Sequence, residues 1–364
     1  MKKTLLPAMA LVLGCAHASF ASDHDKKAVF VMTNAAAENQ ILSYAVQTDG
    51  SLKAYGAYPT GGRGSGGNVD PLGSQGSLTL SQDHALLFAV NAGSGKLSSF
   101  RVDGPRLELA DVKPTGGSAP VAVAEHGGLV YVLNFAGNSD VVGFKVDDGI
   151  LWQIPGSERF LTTANSGASS LAFSTDGKFL LVTEKLTNNI DVFPVNANGT
   201  LGAVVTTNDP SPGLFDLLVA PDGAAIALEA GNASLTPFQI GVTGALTSLS
   251  APVVTLGAAS CWHAVTPNGQ FLYTSNAGSG NISGFALTGG GVISALPGTI
   301  VATYPTGSTN LDLAASGDSK YLYTVNTGTG TIGMLAIQSN GTLKLIGTLP
   351  AFTAKSGANG IAAL

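Results

Sequence analysis

One pattern, written seven times, constrains this chain more than anything else in it. An apolar strand ends in Asn or Glu, and a second apolar position follows nine or ten residues later. The copies are Val29 to Asn34, Leu86 to Asn91, Val130 to Asn134, Phe179 to Glu184, Ala225 to Glu229, Phe271 to Asn276 and Tyr321 to Asn326. Their followers are Tyr44, Phe100, Phe144, Phe193, Phe238, Phe285 and Leu335. Successive Asn/Glu anchors lie 57, 43, 50, 45, 47 and 50 residues apart, close to the ~40–50 residues of one propeller blade.

Within one unit, Ser170 to Ser174 reads as a first strand, Asp176-Gly177 as a turn and Phe179 to Thr183 as a second strand. Asn189 to Val195 reads as a third strand, Asn198-Gly199 as a turn and Leu201 to Thr206 as a fourth, by alternation of apolar runs with turn chemistry. The ends of the chain fit the same scheme, since Ser356 to Ala363 resembles a first strand while Lys27 opens directly into a second. The expected fold is therefore all-β: a seven-bladed β-propeller of four-stranded antiparallel blades, its ring closed by N- and C-terminal strands sharing one blade. Closure of this kind removes the open edges that invite aggregation.

The domain expectation is a signal peptide over residues 1–21 and a single propeller over 22–364. Lys2-Lys3, the apolar stretch Thr4 to Gly14 and the small residues after it have the layout of a secretory signal. Ala16-His17-Ala18 and Ser19-Phe20-Ala21 suit ordinary cleavage, whereas Val12-Leu13-Gly14-Cys15 suits a lipoprotein signal over residues 1–14 with the anchor on Cys15. Either route predicts a periplasmic or extracellular protein. The apolar run is shorter than the ~20 residues that span a bilayer, so no transmembrane segment is expected. Either route removes or acylates Cys15 and leaves Cys261 as the one free cysteine, so no internal disulfide is expected.

Only 11% of residues are charged while glycines number 48, against a usual charged share of ~25%. This is the composition of a turn-rich β protein. A net charge of −6, with 17 Lys and Arg spread thinly, offers no basic stripe to a phosphate backbone and argues against nucleic acid as a partner. Neither His nor Cys shows metal-ligand spacing, so no metal and no cofactor are expected. Closed propellers need no partner to fold, and the expectation is a monomer.

Several segments carry a family resemblance. They are Val31-Met32-Thr33-Asn34 with Ile41-Leu42-Ser43-Tyr44, Leu171-Ala172-Phe173-Ser174-Thr175-Asp176-Gly177, Tyr323-Thr324-Val325-Asn326, and the blade endings Asn198-Gly199-Thr200-Leu201 and Asn340-Gly341-Thr342-Leu343. Over almost the whole mature length the chain resembles the lactonase-type seven-bladed propellers, the family of the bacterial 6-phosphogluconolactonase and the fungal carboxymuconate lactonising enzyme. The resemblance implies hydrolysis of a lactone. It transfers no catalytic residue, because the family's Pro-His pair at the opening of a first strand is replaced here by Pro120-Val121, Ser169-Ser170 and Phe215-Asp216.

The residues themselves nominate a site at the tunnel mouth, on the face carrying the loops between second and third strands. Glu184 and Glu229 replace Asn in consecutive blades, and two adjacent carboxylates would raise one another's pKa toward acid–base use. Alternatively, each bonds loop backbone as Asn does. His263, preceded by Cys261 and Trp262 on a first strand, is the leading candidate for a base that activates water, unless strand alternation turns it into the sheet packing. Lys185, Asp216, Asp312, Gln75 and Trp262 are placed at the same mouth as substrate-binding groups. The first interval holds extra residues, Gly61 to Pro71, expected as a mobile lid offering Arg63, Asn68 and Asp70 or as a plain spacer. Two functions remain open: an exported lactonase-like hydrolase acting on a small lactone or carbohydrate-derived ligand, and a non-catalytic scaffold binding a protein, glycan or cell-envelope component.

Overall fold

A computed structural model describes residues 26–209 and 211–364; the expected signal segment and Cys15 lie outside them. Seven antiparallel sheets form the ring. Blade 1 takes its inner strand from the C-terminus, Ile361–Ala363, and continues outward through Ala28–Met32, Gln40–Val46 and Leu52–Pro59. Val29 pairs with Ala363, Phe30 with Ala362 and Val31 with Ile361. Beyond this ladder Asn359 N donates to Met32 O, and Leu364 N to Ala28 O. The inner strands of blades 2 to 7 are Leu78–Leu80, Ser118–His126, Ala168–Phe173, Leu214–Val219, Ser260–Val265 and Asn310–Ala315.

Sequence character follows position in the blade. Second strands, enclosed on both faces by neighbouring blades, are continuous apolar runs such as Leu180-Leu181-Val182, all fully buried. Outer strands are wetted, and Leu52–Pro59 is buried only at Leu52 and half-buried at Gly56 and Tyr58, its other positions being exposed. The fourth strand of blade 4 departs from expectation: it begins at Val205, and Leu201 makes only an isolated bridge to Val195. The cause is local, since Gly202 N bonds Pro194 O at 2.7 Å and bulges the chain out before the ladder resumes with Val192 opposite Val205.

Seams between blades are closed by packing and by a repeated latch. Tyr131 Oη donates to Gly199 O at 2.7 Å, Tyr273 Oη to Gly341 O at 2.7 Å and Tyr323 Oη to Gly50 O at 3.1 Å. Each is a second-strand tyrosine reaching the outer hairpin turn of the next blade. The turn must be glycine there: Gly341 has φ +82°, and a Cβ would lie 2.4 Å from the Phe271 ring.

One irregularity places the functional groups. In blades 3 to 7 the register of the inner strand slips near its start: between Pro120 and Ala122, Ala168 and Ser170, Leu214 and Asp216, Ser260 and Trp262, and Asn310 and Leu313. A bulge re-aims the side chains it carries. Here those are Ser169, Ser170, Phe215, Asp216, Cys261, Trp262 and Asp312.

Candidate functional site

The expected mouth is filled by the chain itself. The stretch before the inner strand of blade 2 crosses the axis and is tied to five other blades. Ser74 Oγ donates to Val121 O of blade 3 at 2.9 Å, Gln75 N to Ser169 O of blade 4 at 3.0 Å, and Gln75 Nε2 to Asp312 Oδ1 of blade 7 at 2.8 Å. In return, Trp262 Nε1 of blade 6 donates to Ser74 O at 2.9 Å, and Asn359 Nδ2 of blade 1 to Asp70 Oδ1 at 3.0 Å. Leu72 and Ser74 are buried. A segment touching blades on opposite sides of the ring can only lie within it, so Pro71 to Gln75 form a fixed plug immediately after the Gly61–Pro71 stretch expected as a lid or a spacer. Arg63 and Asn68 stay exposed on its approach, with Arg63 N bonded to Ser94 Oγ at 2.9 Å.

Lys185 anchors the plug from blade 4. Its Nζ donates to Gly73 O at 2.5 Å and sits 5.1 Å from the centre of the Phe215 ring, a charge held against an aromatic face. Burial lowers the Lys185 pKa, opposed by attraction to Asp70; burial likewise raises that of Asp70. Cys261 shares this enclosed patch, and burial, followed by the Asp70 charge, pushes its thiol up to about 12. A thiol so shifted is a poor nucleophile.

Beneath the plug lies a polar network. His263 Nδ1 faces Asp216 Oδ2 at 2.5 Å, and Nε2 faces Ile226 O at 3.1 Å. A carbonyl oxygen only accepts, so Nε2 carries a proton. Asp216 Oδ1 receives Ser170 Oγ and Leu217 N, both at 2.7 Å. His263 and Asp216 side chains are 0% and 1% exposed. The register explains the orientation. His263 pairs with Thr274, two residues before the blade anchor, where Leu78, Val123, Leu171, Leu217 and Leu313 stand in five other blades. His263 therefore occupies an interblade packing position and points back into blade 5, where Asp216 meets it.

A cavity of about 320 Å³ reaches this network, lined by Gln75, Ser170, Asp216 and His263 and, nearer its opening, by Thr79 and His126. It opens on the face of the hairpin turns that follow the inner strands, opposite the plugged mouth. Asp312 lies entirely buried, and burial pushes its carboxyl up to about 7 against the bonds from Gln75, Leu313 N and Ile361 N. With Nε2 of Gln75 committed to Asp312, its Oε1 is buried without a partner.

Glu184 and Glu229 are not brought together in a shared site. Glu184 accepts from Thr162 Oγ1, Thr163 N, Thr187 Oγ1 and Asn189 Nδ2, all within the loops of its own blade and the strand entering it. Glu229 accepts from Ser234 Oγ at 2.7 Å and faces Asp209. Ser170, Ser74 and Asp209 escaped the residue-by-residue search. The signal was positional: aligning the inner strands on their anchors sets Ser170, Asp216 and Trp262 in one register column. Among the described residues, no group of three His, Cys, Asp or Glu is placed to hold a metal ion.

No protein-family model matches the chain, and no curated protein matches it. Solved structures do. A periplasmic gluconolactonase from Pseudomonas aeruginosa superposes with TM-score 0.71 at 18% identity, over 93% of this chain and 98% of that one. A candidate 6-phosphogluconolactonase from Bacteroides uniformis gives 0.69 at 20% identity, over 93% and 100%. A protein from Lactobacillus plantarum gives 0.74 at 19%, over 93% and 99%. The chain thus has the fold of the lactonase-type propellers along nearly its whole length. Among the described residues no helix is long and apolar enough to cross a membrane.

Proposed function

We propose that the protein is an exported, lactonase-like hydrolase of a small lactone, working in the axial cavity beneath the plug. The observation that carries this reading is the convergence of Asp216, His263, Ser170 and Gln75 on one cavity. Stacked repeats need no such cluster at their axis, whereas a hydrolytic site does. The fold shared with proteins named for lactone hydrolysis supports it.

The geometry divides the chemistry differently from a free histidine base. Because both nitrogens of His263 are engaged, the group that takes a proton from water is the Asp216 carboxylate, with His263 as its positioning residue and charge partner. Water oxygen bonds to the lactone carbonyl carbon, and its proton passes to Asp216. The ring C–O bond then breaks and the departing ring oxygen takes that proton, giving the open hydroxy acid. Ser170 Oγ, whose one proton is donated to Asp216 Oδ1 in this structure, meets the carbonyl oxygen as a donor only by turning that proton away from Asp216 as charge develops. Glu184 and Glu229, each spent on its own blade, act in this scheme through folding alone.

One observation favours a scaffold instead: the near-zero exposure of His263 and Asp216, which makes the pair a brace between blades 5 and 6. Hydrolysis of a panel of neutral and acidic lactones by wild type, Asp216→Asn and His263→Ala separates the two. Turnover lost in both variants, with near-UV circular dichroism retained, supports the hydrolase. No turnover from well-folded wild type on any member of the panel moves the conclusion to the scaffold.

A further inference from the structure

At two places where a fourth strand hands over to the next blade, a threonine near its end is linked to the following blade's anchor. Thr60 N bonds Asn39 O, and its Oγ1 donates to Asn91 Oδ1 at 2.5 Å. Thr255 N bonds Ala233 O, and its Oγ1 meets Ser260 Oγ, which donates to Asn276 Oδ1 at 2.5 Å. A hydroxyl supplies the proton in both locks. Between blades 4 and 5 the same place, fixed by the same backbone bond from N to Asn188 O at 2.8 Å, is held by Asp209, and the anchor is Glu229.

Both residues are buried, at 1% and 0% exposure. Asp209 Oδ1 accepts Ser211 N, and Glu229 Oε2 accepts Ser234 Oγ. The remaining oxygens, Asp209 Oδ2 and Glu229 Oε1, make no hydrogen bond of good geometry; Thr236 lies near enough to favour the Glu229 carboxylate weakly, and the two carboxyls interact with one another. Two ionised carboxylates cannot bond. We infer that Asp209 and Glu229 share a single proton in the native state and form a pH-sensitive lock on the junction between blades 4 and 5.

Burial, before any charge effect, pushes the Glu229 carboxyl up to about 8 and raises that of Asp209 as well. The charge acting on Glu229 is that of Asp209. The carboxylates on adjoining strands have their own donors: Glu184 as described, Asp191 with Thr162 and Thr206, and Asp216 with His263. Thr236 and Ser234 beside Glu229 are neutral. Glu229 pairs with Leu214 at the start of the inner strand that carries Phe215 and Asp216, so opening the lock loosens the strand leading to the cavity. The inference stands whether or not the cavity hydrolyses lactones.

The sign follows from proton counting. The folded pair holds a proton that the unfolded chain has released above a carboxyl pKa of about 4.5, so stability is full below that pH and is lost as pH rises through about 8. The test is thermal unfolding from pH 4.5 to 9 of wild type, Glu229→Gln, whose amide supplies a permanent donor, and the double variant D209T/E229N, which installs the Thr–Asn pair of blade 2. Wild type should lose about 5 °C relative to both variants across that range. At pH 7 the wild-type minus Glu229→Gln infrared difference should show a carboxylic-acid band, the acid form that Asp312 keeps near that pH cancelling between the two proteins. Parallel pH–stability curves overturn the inference. So does the missing carboxylic-acid band, or stabilisation of the wild type by added Na⁺, K⁺ or Ca²⁺ without that band, which would make a cation the bridge. If Glu229→Gln fails to fold, Asp209→Asn takes its place in the infrared difference.

Discussion

Replacing His263 with leucine tests how the axis is held together, because it writes into blade 6 the residue that four other blades carry at the same register. By packing alone the change should be harmless. The network says otherwise: leucine leaves Asp216 enclosed with only Ser170 Oγ and Leu217 N. Removing one member of a buried charged pair costs about 3–5 kcal/mol, and improved apolar packing returns about 1 kcal/mol. The net loss of about 2–4 kcal/mol, against an unfolding entropy of ~0.7 kcal/mol/K for a domain of ~340 residues, lowers Tm by about 3–6 °C. The double variant D216S/H263L removes the stranded carboxylate as well and puts the Ser170-Leu171 type of pairing at Ser–Leu in blade 5. It should come within about 1 kcal/mol of wild type, a coupling of about 2–3 kcal/mol between sites in contact. Calorimetry of the four proteins at pH 7 closes the cycle. If H263L melts with wild type, or the double variant falls by the sum of the singles, the pair is not the brace described.

Deleting Gly357 to Leu364 removes the inner strand of blade 1 and exposes the edge at Ala28–Met32; the product should aggregate on size-exclusion chromatography, and an unchanged Tm would refute ring closure by that strand. Cys261, with its thiol pushed up to about 12, should react with a neutral disulfide reagent at pH 7 about a thousandfold more slowly than a free thiol. A rate near that of free cysteine would show that the plug does not enclose it.

Fold and site were legible to different depths, for reasons visible in particular residues. The anchors from Asn34 to Asn326, and the apolar runs before them, were enough for seven blades and shared closure. A strand buried on both faces must be apolar throughout, and a hairpin turn must be Gly, Asn or Asp, and these are local demands. Gly61 to Pro71 read locally as a lid or a spacer, and nothing in a Gly-rich stretch announces that a plug follows it. Val121, Ser169, Trp262, Asp312 and Asn359, which tie the plug in place, lie tens to hundreds of residues away. The same holds for the charged groups. Glu184 and Glu229 looked like a pair because they stand at matching places in consecutive repeats, yet matching places in a ring sit in separate blades. Their neighbours are instead Thr162 for Glu184 and Ser234 and Asp209 for Glu229, local to separate blades. His263 was visible as an unusual residue; its meeting with Asp216 was not. That contact depends on a one-residue bulge in each of two inner strands, a displacement that repeat periodicity averages away and only the closed ring resolves.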